Sequence, residues 1–272
     1  MRVAMDSGKD RCTSELSGVC TGFSASEPMT QLLSSVRNLS EAKIAVTAGS
    51  DWLDLKEPRD GALGAVGTNE IQRIVNWASQ TGVSQPLSAT IGDCWNQPQA
   101  IQSRVDAIAE LGVEFIKIGL FIDRLDAPTL EAIKSVIAHD IIIVCLVEKP
   151  LAEASISKLV DSGVRGLMLD TAEKSSGSLT EKLSFGQIAD FVNTAKDYGV
   201  LCGLAGSLQA SDIEYLAPLG PDYLGFRGAL CESSRAGMLC AQRVANMKSN
   251  IQEYRCGPRS RGTDLNSVTR VP

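Results

Sequence analysis

Eight short apolar runs, each bounded by turn residues and separated from the next by a helical pattern, constrain what this 272-residue chain can become. The runs fall at 31–37, 52–57, 86–91, 115–120, 141–147, 166–170, 201–206 and 223–228, and each reads as a buried parallel strand. Between them, Ile71, Ile74, Val75 and Ala78 mark one face of 69–81, and Ile101, Val105 and Ile108 mark one face of 97–111. Gly49, Gly82, Gly112, Gly163, Gly199 and Gly220 stop helices just before the following strand, as C-cap glycines do. Strand and helix alternating eight times over roughly 225 residues predicts an α/β fold, a single (β/α)8 TIM barrel. An open doubly wound sheet needs fewer strands, and no G-x-G-x-x-G follows the first run.

The barrel, as catalytic domain, is expected over 29–253. Residues 1–28 are polar, rich in Ser and Gly and without a usable period, which predicts a disordered extension. Met29 opens the patterned region and is a candidate start. Residues 254–272 read as a flexible tail.

Net charge −6 and the lack of a Lys/Arg cluster argue against a nucleic-acid partner. No apolar stretch approaches the roughly 18 residues that span a membrane, and no secretory signal is visible. Of the eight cysteines, Cys94, Cys145, Cys202 and Cys231 lie in or beside strands, where free cysteine acts as a small apolar residue. No C-x-x-C spacing occurs and His139 is the sole histidine, so neither a metal site nor a Cys–His nucleophile is expected. A reduced, cytoplasmic protein is the default.

Charge inside the apolar runs marks the candidate active site. Lys56, Lys117 and Lys174 lie in or just beyond strands, as do Asp54 and Asp170. An ammonium or carboxylate buried there costs several kcal/mol unless it is paired or does chemistry. Asp54 and Lys56 are two apart and share a side of strand 2. Lys117 occupies the middle of strand 4, Asp170 ends strand 6, and Lys174 follows in the next loop. Alternate strands of a barrel contribute to one interior layer, so strands 2, 4 and 6 can gather these charges in one cluster. A closed ion-pair network is the bland alternative, but three ammoniums against two carboxylates leave room for an anionic substrate. A lysine crowded by another cation in a dry pocket has a lowered pKa and becomes a nucleophile able to form a Schiff base.

The loops after strands 7 and 8, Leu204-Ala-Gly-Ser207 and Gly225-Phe-Arg-Gly228, stand where barrels frequently bind phosphate. Gly206, Ser207, Arg227 and Gly228 are therefore the candidate phosphate residues, with Arg227 expected to add a bidentate contact. The 60–65 loop is a glycine-hinged segment suited to closing over substrate, and Asp93 is a second-rank residue near the mouth.

Six motifs extend this reading: Asp54-Leu-Lys-Glu-Pro-Arg-Asp-Gly-Ala-Leu-Gly-Ala65, Ser88-Ala-Thr-Ile-Gly-Asp93, Ile116-Lys-Ile-Gly-Leu120, Met168-Leu-Asp-Thr-Ala-Glu-Lys174, Leu204-Ala-Gly-Ser207 and Arg227-Gly-Ala229. In type and order, over about residues 30–252, they resemble the (5-formylfuran-3-yl)methyl phosphate synthase family of methanofuran biosynthesis. The resemblance implies a barrel lyase that condenses two glyceraldehyde 3-phosphate molecules, with loss of phosphate and water, to 4-(hydroxymethyl)-2-furancarboxaldehyde phosphate. It implies Lys56 as the Schiff-base lysine and Lys117 as proton acceptor, with Asp54, Asp170 and Lys174 around them. It implies neither a metal nor an organic cofactor. Arg59 departs from the lysine common at its place but keeps the charge. The alternatives are another class I phosphosugar aldolase and a non-catalytic phosphosugar-binding barrel. Each has a small phosphosugar partner, and each is compatible with a homo-oligomer.

Overall fold

The computed structural model describes residues 29–94, 97–148, 153–173 and 177–254. The expected extension 1–28, tail residues 255–272 and Lys174 lie outside the described residues. The first half of the chain runs β1 (Gln31–Val36), α1 (Leu39–Thr47), β2 (Trp52–Leu55), α2 (Thr68–Thr81), β3 (Leu87–Thr90), α3 (Pro98–Ala109), β4 (Phe115–Leu120) and α4 (Ala127–Lys134). The second half runs β5 (Ile141–Val147), α5 (Glu153–Asp161), β6 (Gly166–Thr171), α6 (Leu179–Lys182), α7 (Phe185–Asp197), β7 (Leu201–Leu204), α8 (Ile213–Leu216), β8 (Tyr223–Phe226) and α9 (Ala241–Glu253).

All eight strands pair in parallel with their sequence neighbours, and β8 returns to β1 through Gln31 opposite Tyr223, which closes the barrel. The expected fold class is observed. Helix ends follow local chemistry. The Asn38 side chain accepts the Glu41 N–H at the start of α1, and Gly82 closes α2 in the left-handed region at φ 69°. The other five glycines expected to stop helices also have positive φ. Among the described residues, no helix is long and apolar enough to cross a membrane.

Strand alternation sorts the apolar residues into two clusters. One lies between sheet and helices and contains Ile71, Ile74, Ile101 and Val105, the faces anticipated from the sequence. The other fills the barrel and includes Leu33, Trp52, Phe115, Val144, Met168 and Tyr223. Inside, Trp52 stacks against Phe115 and Tyr223 with ring centroids 4.8 and 5.1 Å apart. These three rings, one each from β2, β4 and β8, make an aromatic floor at the N-terminal end of the barrel. Two residues further along β2 and β4 come Asp54 and Lys117, so the floor lifts the charges toward the C-terminal mouth. Cys94, Cys145, Cys202 and Cys231 are buried free thiols, and burial pushes the Cys145 and Cys202 thiols far up, out of the reactive range.

Candidate active site

Lys117 Nζ donates to Asp54 Oδ1 at 2.8 Å, and Lys56 Nζ approaches Asp170 Oδ2 at 3.4 Å. All four side chains are buried, and they come from β2, the residue just after it, β4 and β6. The sequence expectation that alternate strands would gather these charges is met. Asp54 is held from three sides: besides Lys117, Ser35 Oγ donates to Oδ2 at 3.0 Å and Ser88 Oγ to Oδ1 at 2.8 Å. Ser35 and Ser88 are the cross-strand neighbours of Asp54 on β1 and β3, so the ladder register itself delivers them. Asp170 Oδ1 accepts the Thr171 N–H at 2.8 Å.

The electrostatics follow from this arrangement. Burial alone would raise the Asp54 carboxyl, but the ammoniums of Lys117 and Lys56 and the bonds from Lys117 and Ser88 hold it below the ordinary aspartate value. Burial pushes Lys117 below its ordinary value and the Lys56 charge adds to that, against the pull of Asp54 and Asp170. The Lys117 ammonium also sits 5.5 Å from the centroid of the Tyr223 ring.

Above this cluster a cavity of about 260 Å³ opens, lined by Lys56, Asp170, Gly206, Ser207, Gly228 and Arg235 among others. Gly206 has φ 114°, and a Cβ there would come within 2.9 Å of Thr171 Cγ2, so only glycine lets the β7 loop lie this close to β6. Ser207 follows at φ 53°, the one non-glycine with positive φ among the described residues. Backbone held in this costly region is characteristic of ligand clamps.

Arg227 also lines the cavity, but its donors point elsewhere. Nη1 and Nη2 grip the two Glu41 oxygens. Nη1 further donates to Ser35 O, Nη2 to Gly237 O and Nε to Arg235 O. All five Arg227 N–H groups are engaged by protein acceptors, which leaves none over for the bidentate phosphate contact expected of it. Burial alone would raise the Glu41 carboxyl, yet the bonds from Arg227 and from the Arg37 N–H keep it below the ordinary glutamate value. Glu41 went unmarked in the sequence, because its buried partner lies 186 positions away.

The 60–65 loop is folded down into the mouth. Leu63 is 2% exposed and lies over Gly119. The Gly64 carbonyl accepts from Glu57 N–H at 2.8 Å and from Thr90 Oγ1 at 2.9 Å. Asp93 stands beside this loop: a Cβ on Gly61 would lie 2.6 Å from its Oδ2. His139 pairs with Asp106 at 3.7 Å, on a partly exposed connection far in sequence from the charged cluster.

A family model described as 4-HFC-P synthase matches residues 32–248. The chain belongs to this family. A Methylorubrum extorquens protein named as a candidate (5-formylfuran-3-yl)methyl phosphate synthase is 38% identical over 238 residues, covering 87% of this chain and 97% of that one. The Methanococcus aeolicus protein named (5-formylfuran-3-yl)methyl phosphate synthase is 31% identical, covering 74% of this chain and 89% of its own. The Methanosarcina mazei protein of the same name is 30% identical, covering 82% and 99%. Among solved structures, phosphoribosyl anthranilate isomerase from Thermus thermophilus superposes with TM-score 0.59 at 14% identity, covering 82% of this chain and 99% of that one. A solved 3-hexulose-6-phosphate synthase gives TM-score 0.55 at 13% identity, covering 80% and 99%. At these identities the likeness to solved structures is one of fold.

Proposed function

We propose that this chain is a (5-formylfuran-3-yl)methyl phosphate synthase acting in methanofuran biosynthesis. It condenses two glyceraldehyde 3-phosphate molecules through a lysine Schiff base, with loss of phosphate and water. The observation that carries the mechanism is the pair of buried contacts, Lys117–Asp54 and Lys56–Asp170, at the base of one cavity.

Lys56 is the nucleophile. Its uncharged amine attacks the aldehyde carbon of one substrate, and loss of water gives an iminium that draws electrons from the neighbouring carbon. Asp170, 3.4 Å from Lys56 Nζ, takes the proton that Lys56 sheds and returns it to the departing hydroxyl. Lys117, with its ammonium disfavoured by burial, supplies the base that removes the proton next to the iminium. The resulting enamine carbon attacks the aldehyde of the second molecule, and eliminations complete the furan. Asp54 orients Lys117. Lys174 belongs to the same Asp-Thr-x-x-Lys motif as Asp170 and is proposed as a further proton carrier. Gly206, Ser207 and Gly228 bring backbone to the phosphate.

The test is incubation of pure protein with glyceraldehyde 3-phosphate while following the near-ultraviolet absorbance of a furan aldehyde. Absorbance growth is expected. A condensed product without that absorbance would point instead to simple aldol chemistry. Borohydride added during turnover should fix substrate carbon on Lys56 by mass spectrometry, and Lys56→Ala should carry no such adduct.

A further inference from the structure

The cavity contains a second guanidinium that motif reading passed over. Arg235 lies in the excursion between β8 and α9, where Cys231 and Leu239 form an isolated antiparallel bridge. Its side chain lines the same cavity as Lys56 and Asp170. Unlike Arg227, it has donors in hand. Among the described residues, its guanidinium makes one hydrogen bond, from Nη2 to the Gly61 carbonyl at 3.0 Å. Four N–H groups of its planar fork thus have no acceptor among the described residues, at the wall of the cavity that Lys56 and Asp170 also line.

Its placement is fixed by neighbours. Arg227 Nε donates to the Arg235 carbonyl at 2.8 Å and Arg227 Nη2 to Gly237 O at 2.8 Å. The buried Arg227–Glu41 pair thus holds the Arg235 backbone from below, while the Gly61 contact joins its head to the β2 loop across the mouth. Burial disfavours the Arg235 cation, Asp170 favours it and Arg227 weighs against it, and an added anion would offset the cost of burial. A phosphate dianion is such an anion.

We propose that Arg235 is the phosphate-binding side chain of this cavity, taking the phosphate of a phosphorylated aldehyde as a bidentate ligand, with Arg227 as the positioning residue beneath it. The assignment rests on the phosphosugar chemistry proposed above, and it moves the anion contact from Arg227 to Arg235. The Gly61 contact gives the bound phosphate a further effect, because an anion on the fork fastens the β8 excursion to the β2 loop.

The test compares wild type, Arg235→Ala and Arg235→Lys, each first checked for a native circular dichroism spectrum. Borohydride trapping on Lys56 is measured with glyceraldehyde 3-phosphate and with unphosphorylated glyceraldehyde. Arg235→Ala is expected to raise the concentration needed for half-maximal trapping of the phosphorylated aldehyde at least tenfold, with unphosphorylated glyceraldehyde changed less than twofold. Arg235→Lys, which keeps charge but not the fork, should fall between. Equal losses on both aldehydes, or no loss on either, overturn the assignment. Calorimetric titration with inorganic phosphate reads the site without any reaction. Phosphate bound by wild type and at least tenfold more weakly by Arg235→Ala supports the anion site even if wild type forms no adduct, an outcome that would instead sink the Schiff-base mechanism. Phosphate bound equally by both proteins, or by neither, overturns it.

Discussion

Lys117 and Asp54 form a 2.8 Å ion pair with side chains only 1% and 2% exposed, directly above the Trp52–Phe115–Tyr223 floor. Breaking such a pair from one side leaves a charge in an apolar barrel, whereas removing both does not. Asp54→Leu and Lys117→Met are each expected to cost about 3–5 kcal/mol in urea unfolding. The double variant should recover more than half of the summed loss. Additive losses would show that the two side chains are not energetically linked.

Lys117 must be uncharged to accept a proton, and burial lowers its pKa from the ordinary 10.5. The logarithm of kcat/KM should therefore rise with pH and level off below pH 10.5, the ordinary lysine value. Lys117→Arg preserves the charge facing Asp54 but remains protonated throughout. A pH–rate series on this variant should show a loss of about 10²–10⁴-fold, the usual span for general-base catalysis. A rate within twofold of wild type would remove Lys117 from that role.

Acid should unfold the protein through Asp54 and Glu41. Both carboxyls are held below their ordinary values of 3.8 and 4.5, so the unfolded chain binds more protons than the folded one as pH falls through this region. Their stabilisation is complete above about pH 5 and is lost as pH drops through the lower folded values. Circular dichroism between about pH 6 and pH 2 should show this. In Glu41→Gln the fall attributable to Glu41 should vanish, leaving a shallower dependence from a lower starting stability.

The mouth loop depends on one missing side chain. A Cβ on Gly119 would lie 1.7 Å from Leu63 Cδ1, so Gly119→Ala must displace the Leu63 side chain from its present position. Overpacking of this kind costs about 1–3 kcal/mol. Leu63→Ala alone should cost about 2–5 kcal/mol. In the Gly119→Ala background, Leu63→Ala should cost clearly less, since the space it vacates is already filled. Additivity in thermal melts of the four proteins would show that the two positions do not touch.

Much of this could be read from the chain alone, because it rests on local periodicity and turn chemistry. Apolar runs located all eight strands to within a residue or two, and glycine ended the helices where the backbone turns left-handed. The charges that matter were visible as violations: Asp54, Lys117 and Asp170 stand where an apolar residue costs nothing. Two-residue spacing also placed Asp54 and Lys56 on one side. What periodicity reports is which face a residue occupies, never which distant residue it meets. The aromatic floor needs three strands brought round to one level, and only barrel closure does that. Arg227 and Arg235 show the limit most clearly. The motif after β8 pointed to the former, but Glu41 of α1, 186 residues earlier, takes its fork and leaves the latter facing the cavity. Local sequence determined the elements and the unusual charges. Tertiary closure decided how they pair, because hydrogen-bond partners far apart along the chain are selected by shape and desolvation rather than by spacing.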